Sequence, residues 1–247
     1  MEKIYSNLNK TVSILMPAFN EGQNIEKVIR SCIDMLDNLK INGEVVVTND
    51  GSLDNTRAIL NTLKEKISNL VIINHEKNMG YGASLYDAIF ASKGDIVVTI
   101  DSDGQFDIKE LPLFLDLYVS GRKIITGYRK EKKDSFMRIL ANKFQNFLVN
   151  LIFGLKLKDA NCAFKLYESD FIKSLKIESK GFQTPTEIMI KAKVLGYDIA
   201  EVGITHAFRE RGRSALGLIK TTIDMLTFII YLRLKIFRYR RDTLNNI

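Results

Sequence analysis

The sequence predicts an α/β fold built on a mostly parallel central sheet. Over the first hundred positions, short β-branched runs alternate with amphipathic helical stretches of ten to twenty residues. Acidic or polar clusters follow three of those runs, at 17–21, 49–52 and 101–105. An all-α fold leaves the β-branched runs unexplained. With 247 residues, 46% of them hydrophobic, the chain can bury a sizeable core.

The first strand covers 12–16 and stops at Pro17. A helix follows over 21–39, with Ile25, Val28, Ile29, Ile33, Leu36 and Leu39 along one side. The second strand, 44–48, runs into the turn cluster Asn49-Asp50-Gly51-Ser52. Asp54 is placed to cap a helix over 54–66. A strand at 70–74, a helix at 80–92 and a strand at 95–100 complete the regular part. Beyond it, the pattern predicts a helix over 107–119, a strand over 123–126 and a helix over 134–153. The last of these has an apolar side of Phe136, Leu140, Phe144, Phe147 and Leu151, and a polar stripe of Arg138, Asn142, Asn146 and Asn150. A helix over 184–195, a strand over 198–202 and a final helix over 215–237 end the chain. The parse is one domain over 1–215 and a C-terminal amphipathic basic helix over 216–247.

A net charge of +7 favours anionic partners. Nucleic acid is not expected, because the positive residues are not interleaved with aromatics on a recognisable nucleic-acid fold. Cys32 and Cys162 lack partners at metal-ligand spacing, which fits a reducing compartment. Residues 1–10 lack the apolar stretch of a signal peptide. The apolar run at 225–232 falls short of the roughly 20 residues a spanning helix needs. Arg233, Lys235, Arg238, Arg240 and Arg241 follow it. That pattern suits either an interfacial helix on an anionic membrane or a helix packed on protein.

Asp101 and Asp103 sit two residues apart, directly after a strand. Carboxylates crowded at a buried strand end repel one another and call for a cation or donors. In a parallel sheet the three polar clusters converge on one crevice at the C-terminal edge. The pair therefore points to a divalent metal holding a phosphorylated ligand. His75 and His206 lack ligand spacing and read as structural.

Together these motifs resemble the family 2 glycosyltransferases of GT-A fold, a Rossmann-like nucleotide-diphospho-sugar transferase sandwich. The resemblance covers 11–215 and rests on the segments 12–21, 49–54, 74–88 and 101–105. Gly127-Tyr128-Arg129, Arg138 with Asn142, the segment 159–165 and Arg209 to Ser214 narrow it to the dolichyl- and polyprenyl-phosphate hexose synthase group.

The resemblance implies an inverting enzyme that moves a hexose or N-acetylhexosamine from a UDP- or GDP-sugar to a polyprenyl phosphate. It implies Mg²⁺ or Mn²⁺ on Asp101, Asp103 and Gln105. Pro17, Phe19, Glu21, Asp50, Gly80, Asp101, Ser102, Gln105 and Lys165 are the expected nucleotide-sugar contacts. Asp103, Arg129, Arg138, Arg209 and Arg213 are the expected catalytic set. Arg129, Arg138, Asn142 and Ser214 are expected to meet the acceptor phosphate. A sugar-hydroxyl acceptor would instead need a base, for which Asp159 and Glu187 are the candidates. A nucleotide-sugar-binding protein without turnover is the alternative of another class. The expected location is cytoplasmic, peripheral on the membrane face or held by a membrane-protein partner. Self-association stays open.

Overall fold

The computed structural model describes residues 5, 8–133, 136–209 and 217–244. Among these residues seven strands form one sheet: β1 (Val12–Ala18), β2 (Gly43–Asn49), β3 (Leu70–Asn74), β4 (Ile96–Thr99), β5 (Ile124–Arg129), β6 (Lys165–Glu168) and β7 (Ala200–Ile204). Their spatial order is β3-β2-β1-β4-β6-β5-β7. β1 pairs in parallel with β2 and β4, β2 with β3, and β5 with β7. Only β6 runs against its neighbours β4 and β5. The C-terminal ends of the other six strands therefore share one edge, as the alternating pattern predicts.

Eight α-helices cover the faces among the described residues: α1 (Ile25–Asn38), α2 (Thr56–Lys66), α3 (Tyr81–Ala91), α4 (Leu111–Val119), α5 (Phe136–Phe153), α6 (Ser169–Ser174), α7 (Thr184–Val194) and α8 (Leu218–Leu244). Alternate strand residues enter opposite layers. Ile14, Met16, Val45, Val47, Ile96 and Val98 pack with α1, α2 and α4. Leu15, Val46 and Val97 pack with α3, α7 and α8. Each such fully buried aliphatic side chain contributes about 1.5–3 kcal/mol of transfer free energy.

Several element ends differ from the pattern for local reasons. α1 begins at Ile25, not 21, because Glu21 stays in the loop after β1 and its carbonyl accepts from Asn24 and Ile25 N–H. α2 begins at Thr56. Asp54 Oδ1 accepts from Thr56 N at 3.0 Å, and Oδ2 from Gly22 N at 3.0 Å, so it clamps two loops as well as the helix start. β6 and α6 have no counterpart in the sequence pattern, since four and six residues are too few to show a period.

The final helix is not an appendage. Met225, Ile229, Leu232 and Ile236 complete the second core layer. Tyr231 donates to Glu178 at 2.8 Å, and Lys235 pairs with the same carboxylate. Among the described residues, no helix is long and apolar enough to cross a membrane.

An amphipathic helix ordinarily turns its apolar side to the core. α5 does the reverse. Phe136, Phe147 and Leu151 remain 76%, 59% and 68% exposed, and Leu140 and Phe144 are exposed with them. The polar stripe faces inward. Asn146 and Asn150 donate to the Leu157 carbonyl, each at 2.7 Å, and their oxygens accept from Ala160 and Leu157 N–H.

Candidate active site

The strand ends open into one cleft of about 590 Å³. Residues at or just beyond the ends of β1, β2, β4 and β5 line it, together with the inward side of α5 and the start of α8. Backbone corners bring the first two clusters together. Asn20 adopts φ 56, and its amide oxygen accepts from Leu53 N at 2.8 Å. Gly51 (φ 66) presses against the Lys77 backbone, where an added Cβ would lie 2.4 Å from a carbonyl carbon.

Asp50 is buried at the end of β2. Its Oδ1 accepts from Met79 N and its Oδ2 from Gly80 N, at 2.7 and 2.9 Å. His75 Nδ1 lies 2.7 Å from Oδ1. Gly80, at φ 98, lets the loop before α3 close on this carboxylate.

Asp101 and Asp103 also line the cleft. Burial, and then the charge of Asp103, push the Asp101 pKa up to about 7, while Arg129 pulls it down. The buried Tyr81 hydroxyl interacts with Asp101, and its ring stacks on Phe182 at 5.3 Å. Ser102 donates to the Pro17 carbonyl at 2.7 Å, so it fastens two strand ends. Gln105 lines the cleft, and its amide donates to Ala207 at 3.0 Å.

Arg209 bridges the acidic wall, with Nη2 2.5 Å from Glu21 and Nη1 3.4 Å from Asp103. Burial raises the pKa of Glu21, against the effects of Asn24 and Arg209. No group of three or more His, Cys, Asp or Glu residues forms a ready metal cage among the described residues. Two carboxylates that repel when unliganded still fit a hard divalent ion, which commonly takes its other ligands from a diphosphate and water.

Pro17, Phe19, Arg138 and Asn142 line the cleft as well. Arg213 and Ser214 lie outside the described residues. Lys165 is a correction. It is fully buried in β6, and its ammonium donates to Thr126 Oγ1 at 2.5 Å and the Ala160 carbonyl at 3.1 Å. Burial lowers its pKa to about 8. It braces the 159–165 loop from beneath and does not reach the cleft.

The two candidate bases are also engaged. Asp159 accepts from Arg129 Nε and Nη2 at 2.7 and 3.1 Å and pairs with Lys132 at 3.2 Å. Burial opposes its charge, but these cations hold its pKa at about 2. Glu187 is fully buried. It accepts from Glu178 N, Ser179 N and Ser179 Oγ, and pairs with Lys191 at 2.6 Å. Both carboxylates are thus occupied by donors from within the fold.

Tyr81, Phe182, Lys220 and Asp224 also line the cleft. Lys220 and Asp224 were hidden because the pattern assigns α8 to a separate tail.

The family model described as glycosyl transferase family 2 matches residues 13–176, well over half of the chain. The chain belongs to glycosyl transferase family 2. It is 29% identical over 237 residues to a dodecaprenyl-phosphate galacturonate synthase of Rhizobium johnstonii, covering 91% of this chain and 68% of the relative. It is 28% identical to an undecaprenyl-phosphate 4-deoxy-4-formamido-L-arabinose transferase of Edwardsiella ictaluri, covering 85% and 64%. A dolichyl-phosphate beta-glucosyltransferase of Trichomonas vaginalis is 26% identical, with 93% and 76% covered. The chain thus spans about two thirds to three quarters of these relatives. Glucosyl-3-phosphoglycerate synthase from Mycobacterium tuberculosis, solved with Mn²⁺, UDP and glucosyl-3-phosphoglycerate, matches with a TM-score of 0.71. That match covers 91% of this chain and 81% of the synthase at 24% identity. The sheet of this family 2 glycosyltransferase is accordingly of the GT-A type.

Proposed function

We propose that this enzyme transfers a hexose or N-acetylhexosamine, with inversion, from a UDP- or GDP-sugar to a polyprenyl phosphate. The observation that carries the acceptor choice is the engagement of Asp159 and Glu187. A sugar hydroxyl must lose a proton as it attacks, whereas a phosphate is already anionic near neutral pH. The names of the three relatives above, each a polyprenyl- or dolichyl-phosphate enzyme, point the same way.

Asp50, a pure acceptor, selects a base edge or ribose that donates a hydrogen. Glu21 and the Pro17 to Phe19 backbone flank it. Asp101 and Asp103 would hold Mg²⁺ or Mn²⁺, which stabilises negative charge on the departing diphosphate. Arg209 and Arg213 would add positive charge there. Arg138 and Asn142, on the inward side of α5, receive the acceptor phosphate. Arg129 joins them with a guanidinium already engaged on one edge by Asp159. The acceptor oxygen attacks the anomeric carbon opposite the leaving group, so the product has inverted configuration.

The exposed apolar side of α5 supports peripheral association with the membrane that holds such an acceptor. That membrane is the cytoplasmic one, on its inner face.

The deciding experiment incubates UDP- and GDP-sugars with a short polyprenyl phosphate and either metal, with products read by mass spectrometry. Product on phosphate but not on a free sugar supports the reading. Product only on a hydroxyl acceptor overturns it.

A further inference from the structure

His75 follows β3 and lies between two carboxylates. Its Nδ1 is 2.7 Å from Asp50 Oδ1, and its Nε2 is 2.8 Å from Asp87 Oδ2 on α3. Its backbone N–H donates to the Asn49 carbonyl at 2.9 Å, so the ring is registered to the end of β2. Ionised carboxylates only accept hydrogen bonds. For both contacts to be bonds, both ring nitrogens must carry hydrogen, and the ring must be an imidazolium. With one proton removed, a nitrogen lone pair would face a carboxylate oxygen.

Asp50 lines the cleft, but His75 and Asp87 do not. The contact of His75 with the reaction therefore runs through Asp50. That carboxylate is oriented by Met79 N–H, Gly80 N–H and the imidazolium. We propose that His75 is a positioning residue, a charged strut that fixes Asp50 against the donor nucleotide and lets Asp87 set donor affinity from outside the cleft. This rests on the reading of Asp50 as a nucleotide contact.

The electrostatics agree. Burial works against the charge of His75, yet the hydrogen bonds and charges of Asp50 and Asp87 raise its pKa. Asp50, from the loop after β2, and Asp87, from α3, are the charged groups acting on it. Asp87 is also the safer handle, because its side chain is 44% exposed and its removal leaves the core intact.

The test is calorimetric titration of UDP and of GDP, each with Mn²⁺, into wild type, Asp87→Asn and His75→Gln, alongside donor KM and kcat. Both variants should weaken the nucleotide that wild type binds by about tenfold, as seen for outer-shell partners that orient a ligating group. Donor KM should rise while kcat stays within about twofold. Wild-type affinity should also fall as pH rises through the His75 pKa. Asp87→Asn should shift that fall to lower pH, and His75→Gln should abolish it. Unchanged nucleotide affinity in Asp87→Asn, or a lost kcat at unchanged KM, overturns the strut alone. Wild type that binds neither nucleotide overturns the donor reading together with the strut. If His75→Gln does not fold, Asp87→Asn still decides the question.

Discussion

Asp159→Asn removes the charge that holds Arg129 and Lys132 in the buried wall of the cleft. The Asp159 side chain is 4% exposed and receives both cations within 3.2 Å. Its pKa falls from 3.8 to about 2 although burial alone would raise it. That difference corresponds to about 2.5 kcal/mol at neutral pH. Because the folded value lies below the unfolded one, this stability is fully present above about pH 4. It is lost as pH falls through about 2. The variant also takes from the half-buried Arg129 and Lys132 the carboxylate they share, which brings the expected cost to about 3–5 kcal/mol. A domain with about 5–15 kcal/mol of stability survives that loss. Urea denaturation at pH 7 should therefore show the full deficit, and the gap between the two proteins should close near pH 2. Turnover per folded molecule should fall by about tenfold, through a raised KM for polyprenyl phosphate, because Arg129 loses the carboxylate that orients it. A variant of wild-type stability that has lost all turnover would refute this reasoning and make Asp159 the general base.

Asp103→Ala, or chelation of the divalent ion, should cut kcat by at least about 100-fold, read by product formation under saturating donor. Glu187→Gln should cost about 2–3 kcal/mol in denaturation, since a buried carboxylate with a lysine and three other donors is replaced by a neutral amide. The folded fraction should keep its activity, and inactive but stable enzyme would revive the hydroxyl acceptor. Phe144→Glu with Phe147→Glu should leave the melting temperature unchanged, because both side chains are exposed. Flotation with anionic vesicles should then drop by about tenfold or more, and undiminished flotation would remove α5 as the lipid-facing side.

The first four strands were legible in the sequence because each is a β-branched run bounded by turn residues. Their alternation with helices also fixed the edge at which Asp50, Asp101 and Asp103 converge. Strand β6 was not legible. It is four residues long, it runs antiparallel, and it contains a buried lysine, which argues against a strand on composition alone. Lys165 consequently reads as a ligand in sequence. Only the Thr126 hydroxyl and Ala160 carbonyl, brought together by the fold, show why a cation can sit inside. The same limit applies to Asp159 and Glu187. Each is a plausible base by residue type, and the donors that occupy them come from loops and strands distant in sequence.

Helix α5 is the sharpest case, because its periodicity was plain and its orientation was not. A hydrophobic stripe states that one side is apolar, but nothing in the spacing states which side meets protein. The orientation is set by the partners of the polar stripe. Asn146 and Asn150 satisfy the backbone of the loop at 157–160, making four bonds to three groups: the Leu157 carbonyl, Leu157 N–H and Ala160 N–H. Leaving buried amides and carbonyls unpaired costs about 1–3 kcal/mol each. Turning α5 over would bury its phenylalanines, but it would forfeit those bonds and take Arg138 and Asn142 from the cleft. The helix thus presents Arg138 and Asn142 to the cleft and an apolar side outward, the arrangement that the proposed lipid phosphate acceptor would require of the element beside it.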